Sequence, residues 1–189
     1  MIVATWNVNS IKIRVENTLA WLKERDPDIV CLQELKCVDE AFPREAFESA
    51  GYNVATHGQK TYNGVAILSK LPLEDVTARL PGDETDEQAR YLEAVVSTAS
   101  GAIRVASLYL PNGNPIGTEK FTYKLGWMDR LVRHARDRLA LEEPFLLCGD
   151  YNVIPMPEDA RNPKDWVNDA LFQPESRAKL RELAALGFT

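Results

Sequence analysis

Apolar residues recur with two different periods along this chain, and the changes of period mark out its elements. Ile2-Val-Ala-Thr-Trp-Asn-Val-Asn9 is short and β-rich, and Ser10 stands where a helix N-cap belongs. Ile11, Val15, Leu19 and Leu22 follow at helical spacing until Asp26-Pro27 ends the pattern. Asp28-Ile-Val-Cys-Leu-Gln-Glu34 reads as a second strand, so the first 34 residues predict a β-α-β unit with parallel strands. A short helix is predicted from about Phe42 to Ala50, closed by Gly51.

Short β-like runs then take over: Tyr52 to His57, Gly64 to Ser69, Leu73 to Leu80, Leu92 to Thr98 and Ile103 to Leu110. Turn residues such as Asn63-Gly64 and Ser100-Gly101 separate them, which predicts antiparallel hairpins. Hairpins after a β-α-β start argue against a simple doubly wound nucleotide fold, and there is no GxGxxG or phosphate loop. Leu125, Met128, Val132, Ala135 and Leu139 share one face of a long predicted helix. Pro144-Phe-Leu-Leu-Cys-Gly-Asp-Tyr-Asn152 reads as a buried strand, residues 153 to 172 as loop, and Glu175 to Leu186 as a last helix.

Composition narrows the class. The 189 residues are 45% apolar and 26% charged, which is the balance of one ordinary globular domain. The net charge of −6 argues against a protein that coats nucleic acid through a general basic field, though not against a basic groove on an acidic body. Cys31, Cys37 and Cys148 form no CxxC pair and read as reduced thiols. No run of 18 apolar residues exists, and the N-terminus lacks the basic-then-apolar order of a leader, so the expectation is a cytoplasmic protein without a membrane partner.

Candidate chemistry lies where strands end. Asn7 and Asn9 close the first, Gln33 and Glu34 the second, Tyr109 the strand before Pro111-Asn112-Gly113-Asn114, and Asp150 and Asn152 the last. In α/β sheets, loops diverge at the C-terminal strand ends and leave a crevice for ligands. By strand alternation, Asp150 and Asn152 continue the face of Leu146 and Cys148, and Glu34 that of Val30 and Leu32. Two carboxylates, several amides and a phenol, with no evident histidine or cysteine, suit a hard cation such as Mg²⁺ acting on phosphate.

At these residues the sequence resembles the endonuclease/exonuclease/phosphatase superfamily, and most closely its exonuclease III branch. Thr5-Trp-Asn-Val-Asn-Ser10, Leu32-Gln-Glu-Leu-Lys36 and Gly149-Asp-Tyr-Asn152 carry the resemblance. His57-Gly-Gln-Lys60, Asn63-Gly-Val-Ala-Ile-Leu-Ser69, Arg90-Tyr91 and Ser107-Leu-Tyr-Leu-Pro-Asn-Gly113 extend it in order. It implies a four-layered α/β sandwich, two mixed sheets packed face to face with helices outside.

It further implies hydrolysis of DNA phosphodiesters with Mg²⁺, or Mn²⁺ in its place: incision at abasic sites, 3′-to-5′ exonuclease action on duplex DNA and trimming of 3′ ends. The partner implied is double-stranded DNA, and the complete enzyme is a monomer. Carried over by position, Glu34 binds the metal with Asn7 beside it, and Asp150 and Asn152 complete its surroundings. Asp150 also moves the proton, Asn152 orients it or the phosphate, and Tyr109 meets the scissile phosphate. Arg90, Asn112 and Lys124 are the implied DNA contacts.

One departure stands beside the match. The family has an Asp-His pair near its C-terminus and another aspartate before it, whereas this sequence has only His57 and His134, neither in such a motif. The expectation is therefore an incomplete domain over residues 1–189, the first two-thirds of such an enzyme. The alternatives are a catalytically silent fragment that binds DNA or a partner, and a phosphoesterase acting on other phosphates.

Overall fold

The computed structural model of the chain describes residues 1–188. It resolves into two compact units, Met1–Tyr109 with Glu142–Asp150, and Leu110–Leu141 with the chain from Tyr151 onward.

The first unit holds two mixed sheets of four strands. One has β1 (Val3–Asn7), β2 (Ile29–Gln33), β3 (Asn53–His57) and β4 (Val65–Ser69) in the order β1-β2-β4-β3. The other has β5 (Leu73–Ala78), β6 (Tyr91–Thr98), β7 (Gly101–Tyr109) and β8 (Phe145–Asp150) in sequence order. β1 runs parallel to β2, from Val3 opposite Ile29 to Asn7 opposite Gln33, with α1 (Val15–Arg25) as the crossover. β7 and β8 are the other parallel pair, and the remaining neighbours are antiparallel. Parallel pairing matters because it puts the C-terminal ends of both strands at the same edge.

Alternation along β2 builds two cores at once. Val30 and Leu32 pack with Leu22 of α1, with Phe47 of α2 (Arg44–Ser49), and with Phe42 and Tyr52. Ile29 and Cys31 face the other way, into a core shared with Val65 and Ile67 of β4, Leu92, Ala94 and Val96 of β6, and Val105 of β7. The sheets therefore pack face to face, and a strand buried on both faces has to read as a continuous apolar run. Trp6 and Trp21 meet with ring centroids 5.5 Å apart, a packing role for both.

The second unit contains α3 (Glu119–Leu139) and α4 (Pro174–Ala184), which pack on each other and are tied by Lys179 Nζ at 2.5 Å from Asp129 Oδ1. The predicted loop of 153–172 holds two short 3₁₀ turns, Pro157–Asp159 and Pro163–Trp166.

The α/β class is as the sequence predicts and the two mixed sheets are as the resemblance implies, while β8 ends at Asp150, short of the expected Asn152, and the start of the first helix also differs. Ser10 is no helix cap: its φ is +84° and α1 starts only at Val15. The reason is competing backbone pairing, since Ser10 N donates to Glu34 O at 2.7 Å and Ile11 N to Leu35 O at 3.2 Å. The chain beyond β1 thus stays beside the chain beyond β2 for several residues before it can coil. Among the described residues, no helix is long and apolar enough to cross a membrane.

Candidate active site

Parallel pairing brings the predicted strand ends of the first unit together. Asn7 ends β1, Glu34 directly follows β2, and Tyr109 and Asp150 sit opposite each other at the ends of β7 and β8. The Asn7 side chain joins the sheets, because its Nδ2 donates to Glu34 Oε1 at 2.7 Å and to Asp150 Oδ2 at 2.9 Å. Its Oδ1 accepts from Asn9 N at 3.0 Å, which turns the amino group toward the carboxylates. One amide thus holds two acids that lie far apart in sequence.

Glu34 reaches this position by leaving strand geometry. Its φ is +55°, so the alternation of Val30 and Leu32 does not extend to it. Gln33, the last residue of β2, instead points between the sheets with 1% of its surface exposed. Its Nε2 donates to Thr5 Oγ1 at 3.1 Å, Cys31 O at 3.0 Å and Ser107 Oγ at 3.3 Å, while Ser107 Oγ donates to Leu32 O at 3.1 Å. This buried polar tie supports the floor on which Glu34 and Asn7 sit.

Gly149 sets the approach of Asp150. A Cβ there would lie 2.0 Å from Leu108 O, and φ is +156°, so glycine is the residue that lets β8 close on β7.

Lys36 completes the group, with its Nζ 3.0 Å from Glu34 Oε2 and donating to Asn9 Oδ1 at 2.5 Å. Burial pushes the Glu34 carboxyl up, but hydrogen bonds from Asn7, Lys36 and Tyr109, together with the Lys36 charge, outweigh it and leave its pKa below the ordinary glutamate value. Tyr109 responds in the opposite sense. Burial, then the Glu34 charge and the hydrogen bond to Glu34, push its phenol up to about 12 despite Arg90. The Arg90 guanidinium lies 4.9 Å from the Tyr109 ring centroid and donates to Gln88 Oε1 at 2.7 Å and Tyr109 O at 3.2 Å. Arg90 therefore braces Tyr109 from a half-buried position.

A pH prediction follows from Glu34. Its carboxyl-carbon NMR titration is expected to have a midpoint below the ordinary glutamate value of about 4.3. Because the folded pKa is depressed, the stability this group contributes is present above the unfolded value and is lost as pH falls through the lower folded one. A midpoint at or above the ordinary value would mean that the three donors do not act together on Glu34.

The other candidates belong to the second unit. Asn112 is exposed, and its Oδ1 accepts from Asn114 N at 3.2 Å. Asn152 has φ +45° and lies past the end of β8, so strand alternation does not place it beside Asp150; its Nδ2 donates to Leu110 O at 2.9 Å. Lys124, expected at DNA, is 0% exposed, with its Nζ donating to Asn112 O at 3.1 Å and Asn152 O at 2.5 Å. As folded, its ammonium has no surface to offer a phosphate.

Among the described residues, no three His, Cys, Asp or Glu cluster as a dense metal cage would require. The two carboxylates of Glu34 and Asp150 still fit a hard cation that keeps several waters, which is how Mg²⁺ is usually held, whereas Asn7, expected beside the metal, turns its amino group rather than its oxygen toward them. Lys36, two residues past Glu34 and inside the Leu32-Gln-Glu-Leu-Lys36 motif, has no role in the sequence-based assignment, whereas Gln33 stands among its strand-end candidates.

The fold and this oxygen-donor site define the class, and comparison with known proteins defines the family. Residues 4–187 match the Endonuclease/Exonuclease/phosphatase family. The chain is 33% identical over 190 aligned residues to exodeoxyribonuclease III of Haemophilus influenzae, covering 97% of this chain and 71% of that protein. An AP endonuclease from Archaeoglobus fulgidus superposes with a TM-score of 0.92 at 38% identity, covering 100% of this chain and 72% of that one. A 3′ phosphatase from Neisseria, bound to a product DNA hairpin, gives 0.93 at 36% identity, covering 99% and 71%. The chain belongs to the Endonuclease/Exonuclease/phosphatase family.

Proposed function

We propose that this chain carries the catalytic carboxylates of a DNA-repair phosphodiesterase of the exonuclease III type, acting on duplex DNA at abasic sites and 3′ ends in the cytoplasm. The observation that carries this reading is the Asn7 amide bridging Glu34 and Asp150. The relatives whose names print nuclease or phosphatase activity support the substrate class.

Glu34 and Asp150 would hold a divalent cation, Mg²⁺ or in its place Mn²⁺, while Asn7, whose amino group faces the two carboxylates, holds them rather than the ion. Such an ion supplies charge neutralisation at a phosphate and stabilisation of the leaving oxygen. The chain's own residues do the rest. Asn7 keeps both carboxylates aimed at one point, and Lys36 limits the repulsion between them. Asp150 is the carboxylate that moves a proton in this reading. Tyr109, with its phenol pushed up to about 12, stays protonated at neutral pH and can donate to a phosphate oxygen without adding negative charge. Asn112, Asn152 and Arg90 are assigned to the DNA.

The test is cleavage by this 189-residue chain of a duplex with one abasic site, in Mg²⁺ and in EDTA. The expected result is cleavage that EDTA stops. A folded chain that leaves the duplex intact in Mg²⁺ would overturn the reading for this chain.

A further inference from the structure

Lys124 is a fully buried lysine, 0% exposed, in the second turn of α3. Burying an ammonium is costly unless its donors find acceptors. Two of its hydrogen bonds go to main-chain carbonyls on separate segments, Asn112 O at 3.1 Å and Asn152 O at 2.5 Å. Those segments also meet directly, with Asn152 Nδ2 donating to Leu110 O at 2.9 Å.

The path of the lysine stem is built to match. A Cβ at Gly113 would lie 2.5 Å from Lys124 Cδ and 3.3 Å from Ala170 Cβ, so only glycine leaves room for the stem. The next turn of α3 carries Trp127 and Met128, both buried. Asn112 is exposed, and Asn152 holds a left-handed backbone at φ +45°. Neither residue is fixed by a strand, so the backbone carrying each amide needs support from elsewhere.

We propose that Lys124 is a positioning residue: from inside the second unit it clamps the main chain at Asn112 and at Asn152 and so sets where their two side chains stand. The assignment of those side chains to DNA rests on the function proposed above; the clamp itself rests on the hydrogen bonds. A displacement of about 1 Å at groups that orient a substrate costs on the order of a hundredfold in rate. Removing the clamp therefore acts on turnover rather than on the charge that DNA meets, because the ammonium is not at the surface.

The experiment uses the whole chain and hydrogen exchange read by mass spectrometry, which detects local opening without requiring activity. Lys124→Met is expected to speed exchange at least about tenfold in peptides spanning 110–114 and 151–154, with β1, β2 and β4 unchanged. Lys124→Arg, which keeps a cation and its donors, is expected to restore part of that protection. Unchanged exchange in both segments would overturn the proposal. So would an equal acceleration through α3 and α4, which would assign Lys124 to the general stability of the unit.

Where the wild-type chain cleaves DNA, Lys124→Met is expected to lower kcat about a hundredfold with KM within threefold. A raised KM at unchanged kcat would make Lys124 a DNA contact instead. Where the wild type does not cleave, the exchange result still decides the clamp, so the two failures are distinguishable. Should Lys124→Met not fold, Gly113→Ala takes its place: its methyl would press on the Lys124 stem while the ammonium remains. Because φ is +87° at Gly113, an alanine strains 110–114 by itself, so the reading is taken at 151–154: exchange there must quicken, and unchanged exchange would overturn the proposal.

Discussion

On the function proposed above, replacing Glu34 by glutamine is expected to reduce metal-dependent cleavage of duplex DNA by on the order of a thousandfold while hardly changing the melting temperature. The carboxylate is the acceptor on which three donors converge: Asn7 Nδ2 at 2.7 Å, Lys36 Nζ at 3.0 Å and the Tyr109 phenol. Glutamine keeps the shape but removes the charge and turns an amino group toward one of those donors. On the proposed function a cation at this site would be left with one protein carboxylate, and Lys36 loses its counter-charge.

The predicted rate loss is worth about 4 kcal/mol in the transition state. The cost to folding is of a smaller order, because Glu34 and Lys36 side chains are 19% and 31% exposed and such pairs contribute about 0–1 kcal/mol. Kinetics, calorimetric metal titration and a thermal melt on one preparation separate the two quantities. Full turnover in Glu34→Gln would remove this residue from the site. A large fall in melting temperature would make its role structural.

Much of this site was legible because strands and their ends obey simple rules. The β-α-β start follows from helical spacing between two β-rich runs, and parallel pairing then requires Asn7 and the end of β2 to emerge together. The Gly149-Asp150 pair was legible as a motif, and its physical cause is the close approach of β8 to Leu108 O.

Extrapolating alternation past the strands failed at Glu34 and Asn152. Both have positive φ, which resets the direction of the side chain, and period-two reasoning holds only while the backbone stays extended. The helix start failed at Ser10 because its N–H was already taken by Glu34 O, a partner remote in sequence. Lys124, which the resemblance places at DNA, is buried in this fold, and two of its hydrogen bonds go to main-chain carbonyls remote in sequence.

A different residue governs stability. Removing Arg104, by Arg104→Met, is expected to cost about 3–5 kcal/mol, the usual effect of leaving a buried partner charge uncompensated. Arg104 on β7 is 7% exposed, and its three nitrogens serve three acids. One terminal nitrogen donates to Glu93 Oε1 at 3.2 Å and the other to Asp75 Oδ2 at 2.9 Å, while Nε lies 3.6 Å from Glu143 Oε2. Glu93 is 0% exposed in the middle of β6 and also accepts from Tyr91 OH at 2.6 Å.

These contacts join β5, β6, β7 and the residue two before β8, so they brace the whole second sheet. At roughly 2–4 °C per kcal/mol for a chain of this size, the melting temperature should fall by about 6–20 °C. Urea denaturation checks the free energy directly, and a loss below about 1 kcal/mol would mean the network is worth no more than a surface pair. The double variant Arg104→Met with Glu93→Leu is expected to recover part of the loss, because no buried carboxylate is then left beside an apolar side chain.

The two variants therefore act on opposite quantities. β7 and β8 end in Tyr109 and Asp150, and while the sheet stays folded those ends keep their pairing. Below its lowered melting temperature, Arg104→Met should retain whatever turnover the wild type shows, whereas Glu34→Gln should lose turnover while remaining folded. If Arg104→Met also lowered kcat at a temperature where it is fully folded, the brace would be setting the position of the strand ends as well as holding the sheet together.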